Sequence, residues 1–167
     1  LVLSHPFSAT GTMHNEFDYI MKVCEKKRVS VMLDMAFFGI SKQPLFDLNK
    51  YPAIKQVAFS LSKPFATGYL KIGVLYTKQE LKTPLATLNE WTYVNQLSTL
   101  IHTKLITTIS PDYMFEKYRG RQLSICKKCG LEPSDTVIFG ITKFKEYDEY
   151  TREGVINRVC LSYELQR

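Results

Sequence analysis

Several things are missing from this 167-residue sequence, and each absence narrows what it does. No apolar run approaches the roughly 20 residues of a membrane-spanning helix, so no bilayer partner is expected. The amino end, Leu1-Val2-Leu3-Ser4, has neither an initiator Met nor the basic-then-apolar pattern of a secretory leader. It reads like the middle of a strand, and the sequence is expected to begin inside a fold. Cysteine is scarce, at four residues. Without a secretory signal, reduced thiols and a cytoplasmic location are the expectation. Cys126-Lys127-Lys128-Cys129 has the spacing of a zinc or redox pair but lacks a second pair or a His partner. Core or surface thiols on a helix are the simpler reading.

A nucleic-acid motif is also missing. The net charge of +6 invites that reading, yet the lysines are scattered. Lys26-Lys27-Arg28 and Lys127-Lys128 fall near expected helix carboxyl ends, where the macrodipole favours cations by about 0.3–1 kcal/mol each. No basic stripe is interleaved with aromatics, so no nucleic-acid partner is expected. The 45% hydrophobic and 23% charged content is that of an ordinary globular protein of one domain or slightly more. Repeats and low-complexity stretches are absent.

What is there reads as α/β. Leu1 to Leu3 form a short buried strand, followed by the turn Pro6-Phe7-Ser8-Ala9-Thr10-Gly11. Phe17, Ile20, Met21 and Cys24 fall at i, i+3, i+4 and i+7, the stripe of an amphipathic helix. Val29 to Leu33 is a second strand, which completes a βαβ unit and implies a parallel sheet. A turn-rich loop runs from Gly39 to Pro52, and residues 56–60 and 72–76 read as further strands. From about Trp91 to Ile106 the spacing predicts a helix with Val94, Leu97, Ile101 and Leu105 on one side. Ser110-Pro111 signals a helix start, and that helix should run past Gly120 to stop at Gly130. Residues 136–141 and 159–163 read as strands around a charged connection, Lys143 to Glu153. The division expected is 1–109 and 110–167, the second part a small α+β portion.

Chemistry concentrates at Ser60-Leu61-Ser62-Lys63-Pro64-Phe65. Alone, a lysine between a strand and a turn is an ordinary surface lysine. Asp34, at the end of the preceding short strand, changes that. In an open parallel sheet the carboxyl ends of strands line the crevice that holds ligands, so Asp34 and Lys63 should both face it.

This order resembles the fold-type I pyridoxal-phosphate (PLP) enzymes, specifically the class I/II aminotransferases. Their Pro-x-Asn-Pro-Thr-Gly turn matches residues 6–11, the aspartate of Asp-x-Ala-Tyr matches Asp34, and the lysine of Ser-x-Ser-Lys matches Lys63. Their phosphate-binding arginine falls at Lys71, and a late carboxylate-binding arginine matches Arg158. The resemblance implies part of the family's large domain, a mostly parallel sheet with flanking helices, and a reduced small domain. It implies PLP as cofactor, amino acid and 2-oxo acid as substrates, and a homodimer. Lys63 would form the Schiff base and shuttle protons, and Asp34 would pair with the pyridine nitrogen. Ser60 and Lys71 would hold phosphate, and Arg158 would clamp the substrate carboxylate.

Departures from the pattern touch three of the site positions. Ser8 replaces the turn's Asn and Phe37 replaces the Tyr, two residues that normally donate to the cofactor's ring oxygen. Ser8 retains a hydroxyl; Phe37 has none. Lys71 loses the fork geometry of Arg. The family's amino-terminal half, with its phosphate-cradling turn and stacking aromatic, has no counterpart, and neither does a helix after Arg158. Three readings therefore stand: an aminotransferase or related PLP enzyme (lyase or decarboxylase), a non-catalytic fragment or degenerate copy that binds or dimerises, and a Cys126/Cys129 metal or redox module.

Overall fold

A computed structural model describes residues 1–42, 47–152, 154 and 156–167. Part of the turn-rich loop (43–46) and the end of the charged connection (Glu153) lie outside the described residues, as does Val155.

The first sheet has the order β1 (Val2–Ser4), β2 (Val31–Met35), β3 (Ile54–Ser60), β4 (Gly73–Thr77). The first three strands are parallel, and β4 runs antiparallel to β3. Helix α1 (Phe17–Lys26) makes the crossover from β1 to β2 and buries Phe17, Met21 and Cys24, the stripe read from the sequence. It ends where Arg28 turns to positive φ and the Val29 N–H donates back to the Cys24 carbonyl at 2.8 Å. That carboxyl-terminal turn delays the strand, so β2 begins at Val31 rather than at Val29. Val31, Leu33 and Met35 alternate inward, and with Ile54 and Val57 of β3 they form the core against α1. Leu33 is fully buried, and truncating it to Ala would cost about 2–5 kcal/mol. The carboxyl ends of the parallel strands share one edge, where Ser4 is paired with Asp34 and Asp34 with Ala58.

The second sheet is antiparallel, with the order β5 (Glu132–Pro133), β6 (Phe139–Thr142), β8 (Ile156–Cys160), β7 (Thr151–Arg152). Between the sheets come α2 (Pro84–Glu90), α3 (Gln96–Thr108) and α4 (Tyr113–Cys129). Helix α4 is continuous through Gly120 and ends on Gly130, whose φ of 66° is the left-handed cap expected there. Its Cys126 packs with Leu131, Leu161 and Leu165 in a second small core.

Backbone bonds lock the two parts together. The Gly11 carbonyl accepts from the Thr136 N–H at 3.0 Å and from its hydroxyl at 2.7 Å, and the Val137 N–H donates to the Ile40 carbonyl at 2.8 Å.

Several expectations need correcting. The helix expected from Trp91 begins at Gln96, because the Asn95 side chain caps it by accepting from the Ser98 N–H. Helix α2 was not foreseen, although Thr83-Pro84 carries the signature that marked Ser110-Pro111. The late strands are displaced: 136–138 is a connection, β8 ends at Cys160, and Ser162 opens α5 (Ser162–Gln166). A short helix therefore does follow Arg158.

Candidate active site

β3 delivers the central turn. Beyond Ser60 the chain loops out and returns at Gly73, which pairs with Ser60. The loop is closed at its neck, where the Leu61 N–H donates to the Ile72 carbonyl at 3.1 Å and the Ile72 N–H donates to the Ser62 hydroxyl at 3.2 Å. Inside it, the Ala66 N–H donates to the Lys63 carbonyl and the Thr67 N–H to the Ser62 carbonyl. Pro64 biases Lys63 away from helix and is itself fully buried. Gly39 lies against Pro64 so closely that an added Cβ would stand 2.5 Å from the Pro64 Cβ and 2.5 Å from the Pro111 carbonyl oxygen.

The strand ends and this turn border an open cavity of about 580 Å³ lined by Asp34, Ser60, Lys63 and Lys71, with Ala36 and Gly73 among its other walls. That volume lies within the range of about 300–1,000 Å³ typical of ligand pockets. Asp34 is oriented by accepting a bond from the Ala36 N–H at 2.9 Å, while its own carbonyl accepts from the His5 N–H at 3.0 Å. The lining thus combines one acid, two lysines and a hydroxyl. A second cavity of about 330 Å³ adjoins it, also bounded by Ser62, Lys63 and Gly68, with Ile40, Met114 and Val137 among its walls.

Phe37, Ser8 and Arg158 do not line the 580 Å³ cavity; a chain of contacts links them to it. The Lys63 ammonium lies 5.4 Å from the Phe37 ring centroid, and Phe37 meets Phe139 edge-on at 5.4 Å. The Arg158 guanidinium stacks 4.3 Å from the Phe139 ring and donates to the Ser8 carbonyl. Burial, and secondarily the nearby Arg152, lower the Arg158 pKa from its ordinary value. Ser8 therefore meets Arg158 through its backbone.

The turn glycine read from the sequence helps hold this arrangement, together with three residues given no role there, Gln122, Phe139 and His102. Gly11, at φ 69°, lets the 6–11 turn press on Ser134 and Phe139. Gln122, fully buried, donates its amide to the Ser134, Thr136 and Phe139 carbonyls at 2.7–3.0 Å. Phe139 supplies the ring between Phe37 and Arg158, and His102 touches the lysine turn from α3. A polar Ser98/His102 pair at i, i+4 inside an apolar helix was a legible sign that this face has a partner. Cys126 is buried in the small core and Cys129 is exposed. Among the described residues no three His, Cys, Asp or Glu gather as a metal site.

No family model matches the sequence, and no curated protein gives a significant match. Solved structures do. A PLP-bound putative aminotransferase from Clostridium difficile 630 superposes with a TM-score of 0.73 at 11% identity, over 99% of this chain and 55% of that one. The L-threonine-O-3-phosphate decarboxylase of Porphyromonas gingivalis gives 0.66 at 12% identity, over 99% and 61%. A PLP-bound C-S lyase from Staphylococcus hominis gives 0.68 at 13%, over 89% and 43%. The fold is thus shared with PLP-dependent enzymes of several reaction types, as a mixed α/β portion of their architecture. This chain spans roughly half the length of these structures.

Proposed function

We propose that this chain serves PLP-dependent amino-group transfer between an amino acid and a 2-oxo acid, with Lys63 as the attachment and proton-shuttling residue. The observation that carries the reading is the shared cavity of Asp34, Ser60, Lys63 and Lys71. Its donor set suits PLP: a carboxylate for a pyridine nitrogen, an amine for an aldehyde, and a hydroxyl and an ammonium for a phosphate. When bound, PLP supplies an electron sink for charge developing at the substrate Cα. Asp34 holds a proton on the ring nitrogen. Lys63 moves a proton at Cα. Ser60 and Lys71 bind phosphate oxygens, Lys71 as a point charge. Arg158 binds the substrate carboxylate. Ser8 and Phe37 stand outside the lining of this cavity and would complete the cofactor's surroundings from beyond it, Phe37 without a donor.

The division at 109/110 and a homodimeric assembly belong to the same proposal. Chemistry other than transfer also fits these residues, since the structural neighbours include a decarboxylase and a C-S lyase. A non-catalytic, binding role is favoured by one specific observation, the presence of a ring without a hydroxyl at Phe37. The test is an assay of the purified chain with PLP, a panel of amino acids and a 2-oxo acid, run beside Lys63→Ala. Amino transfer by wild type alone supports the enzyme reading, and equal, background turnover in both supports the binding role.

A further inference from the structure

Helix α3 buries a mixed face, in which Ser98 and His102 lie deeper than the half-buried Ile101 and Leu105. Leu97 and Leu100 are 59% and 71% exposed, whereas Ser98 and His102 are at 0% and 1%. Burying an imidazole costs free energy unless both ring nitrogens are satisfied, and here both are. Nδ1 lies 2.7 Å from the Ser98 carbonyl oxygen. A carbonyl only accepts, so Nδ1 carries the hydrogen, and in the uncharged tautomer this leaves Nε2 as an acceptor. Nε2 lies 2.7 Å from the Thr67 hydroxyl, which therefore donates to it.

Thr67 is the node of the lysine turn. Its N–H donates at 2.9 Å to the Ser62 carbonyl, which belongs to the peptide unit that also contains the Lys63 nitrogen. Its carbonyl accepts from the Leu70 N–H at 2.9 Å. Phe65 of the same turn meets the His102 ring edge-on at 6.4 Å. The Ser98 carbonyl, the His102 ring, the Thr67 hydroxyl and the Ser62–Lys63 peptide thus form one unbroken line of bonds from helix backbone to the lysine. On its other flank the turn is wedged by Pro64 against Gly39.

We infer that His102 is a positioning residue for Lys63, acting through Thr67 to hold the lysine-bearing turn against the cavity. The inference extends the PLP reading of this site and rests on it for its functional meaning. The contact itself is tested without cofactor.

The experiment measures reductive methylation of the cofactor-free full chain by formaldehyde and cyanoborohydride. Labelling of Lys63 is quantified by peptide mass spectrometry against the exposed Lys127 as internal standard. Thr67→Val, which removes one hydroxyl at nearly constant shape, and His102→Leu should each raise Lys63 labelling about two- to tenfold relative to Lys127, the range of one lost hydrogen bond. His102→Gln, which can still accept from Thr67, should stay close to the wild-type rate. A purely structural role would not distinguish Gln from Leu in this way. Should His102→Leu fail to fold, Thr67→Val and His102→Gln decide the matter. Unchanged Lys63 labelling in a folded Thr67→Val chain overturns the inference. Trapping PLP on Lys63 with borohydride is read separately. Trapped PLP with unchanged labelling defeats the positioning role alone, whereas altered labelling with no trapped PLP defeats the PLP reading and leaves the positioning contact standing.

Discussion

Phe37 occupies the middle of a contact chain that begins at the Lys63 ammonium and ends, through Phe139, at the Arg158 guanidinium. The Phe37 ring stabilises the Lys63 ammonium, as the Phe139 ring does the Arg158 guanidinium, and it offers no hydrogen to a bound anion. Phe37→Tyr should tighten PLP binding by about two- to tenfold, the range of one hydrogen bond, as measured by equilibrium titration; weaker binding would place the ring elsewhere. A second residue-scale effect concerns His5, buried and stacked 4.4 Å from Phe17. Burial first, and His14 second, push its pKa down to about 4, with Asp135 opposing. The unfolded imidazole titrates near 6.5 and so takes up protons before the folded one does. Stability is therefore full above about pH 6.5 and declines as the pH falls toward about 4. Thermal melts across that window should show a drop that His5→Asn flattens. At this scale much was legible: Asp34 stands near the end of β2 and Lys63 in the turn just beyond β3, and strand ends are where side chains converge. Phe139 and Gln122 were not, because an aromatic and an amide in a strand and a helix look like ordinary packing until the fold brings them to the 6–11 turn.

Elements were legible where one face is apolar and illegible where the partner is polar. Helix α1 follows its stripe because Phe17, Met21 and Cys24 meet the β2–β3 core. Helix α3 reverses the expectation: Ile101 and Leu105 are half-buried, Leu97 is exposed, and the interior contact is an imidazole on a threonine. Periodicity weighs hydrophobicity and is blind to a hydrogen-bonded polar contact. Helix α2 is short and buries nothing, so its Thr83 cap was its only sign. The turn between β3 and β4 depends on the close approach of Gly39, at φ 78°, to Pro64. Gly39→Ala should cost about 1–3 kcal/mol in denaturant titration, combining positive-φ strain with a backbone clash. It should also weaken PLP capture, whereas a neutral Gly39→Ala would show that the turn is not wedged there.

At the scale of the whole molecule, the last strand of the first sheet and the helices that follow it carry large apolar side chains in the open. Val74 and Tyr76 on β4, and Leu85, Trp91, Leu97 and Leu100 beyond it, all face outward. Exposed apolar side chains in this number suit a polypeptide contact, and the proposed homodimer would cover them. Sedimentation velocity should show a dimer that Leu97→Glu with Leu100→Glu converts to monomer; a monomeric wild type would remove that proposal. No helix among the described residues is long and apolar enough to cross a membrane. The sequence conveyed the α/β class and the parallel sheet because both follow from alternation of elements. It did not convey which surfaces stay open, since exposure is a property of the assembled layers.

The most direct measurement of the central claim is borohydride reduction of the chain after incubation with PLP, followed by peptide mapping. The account predicts a pyridoxyl group on Lys63, lost in Lys63→Ala and reduced in Asp34→Asn. Modification spread evenly over the exposed lysines, with Lys63 no different from Lys127, would contradict it.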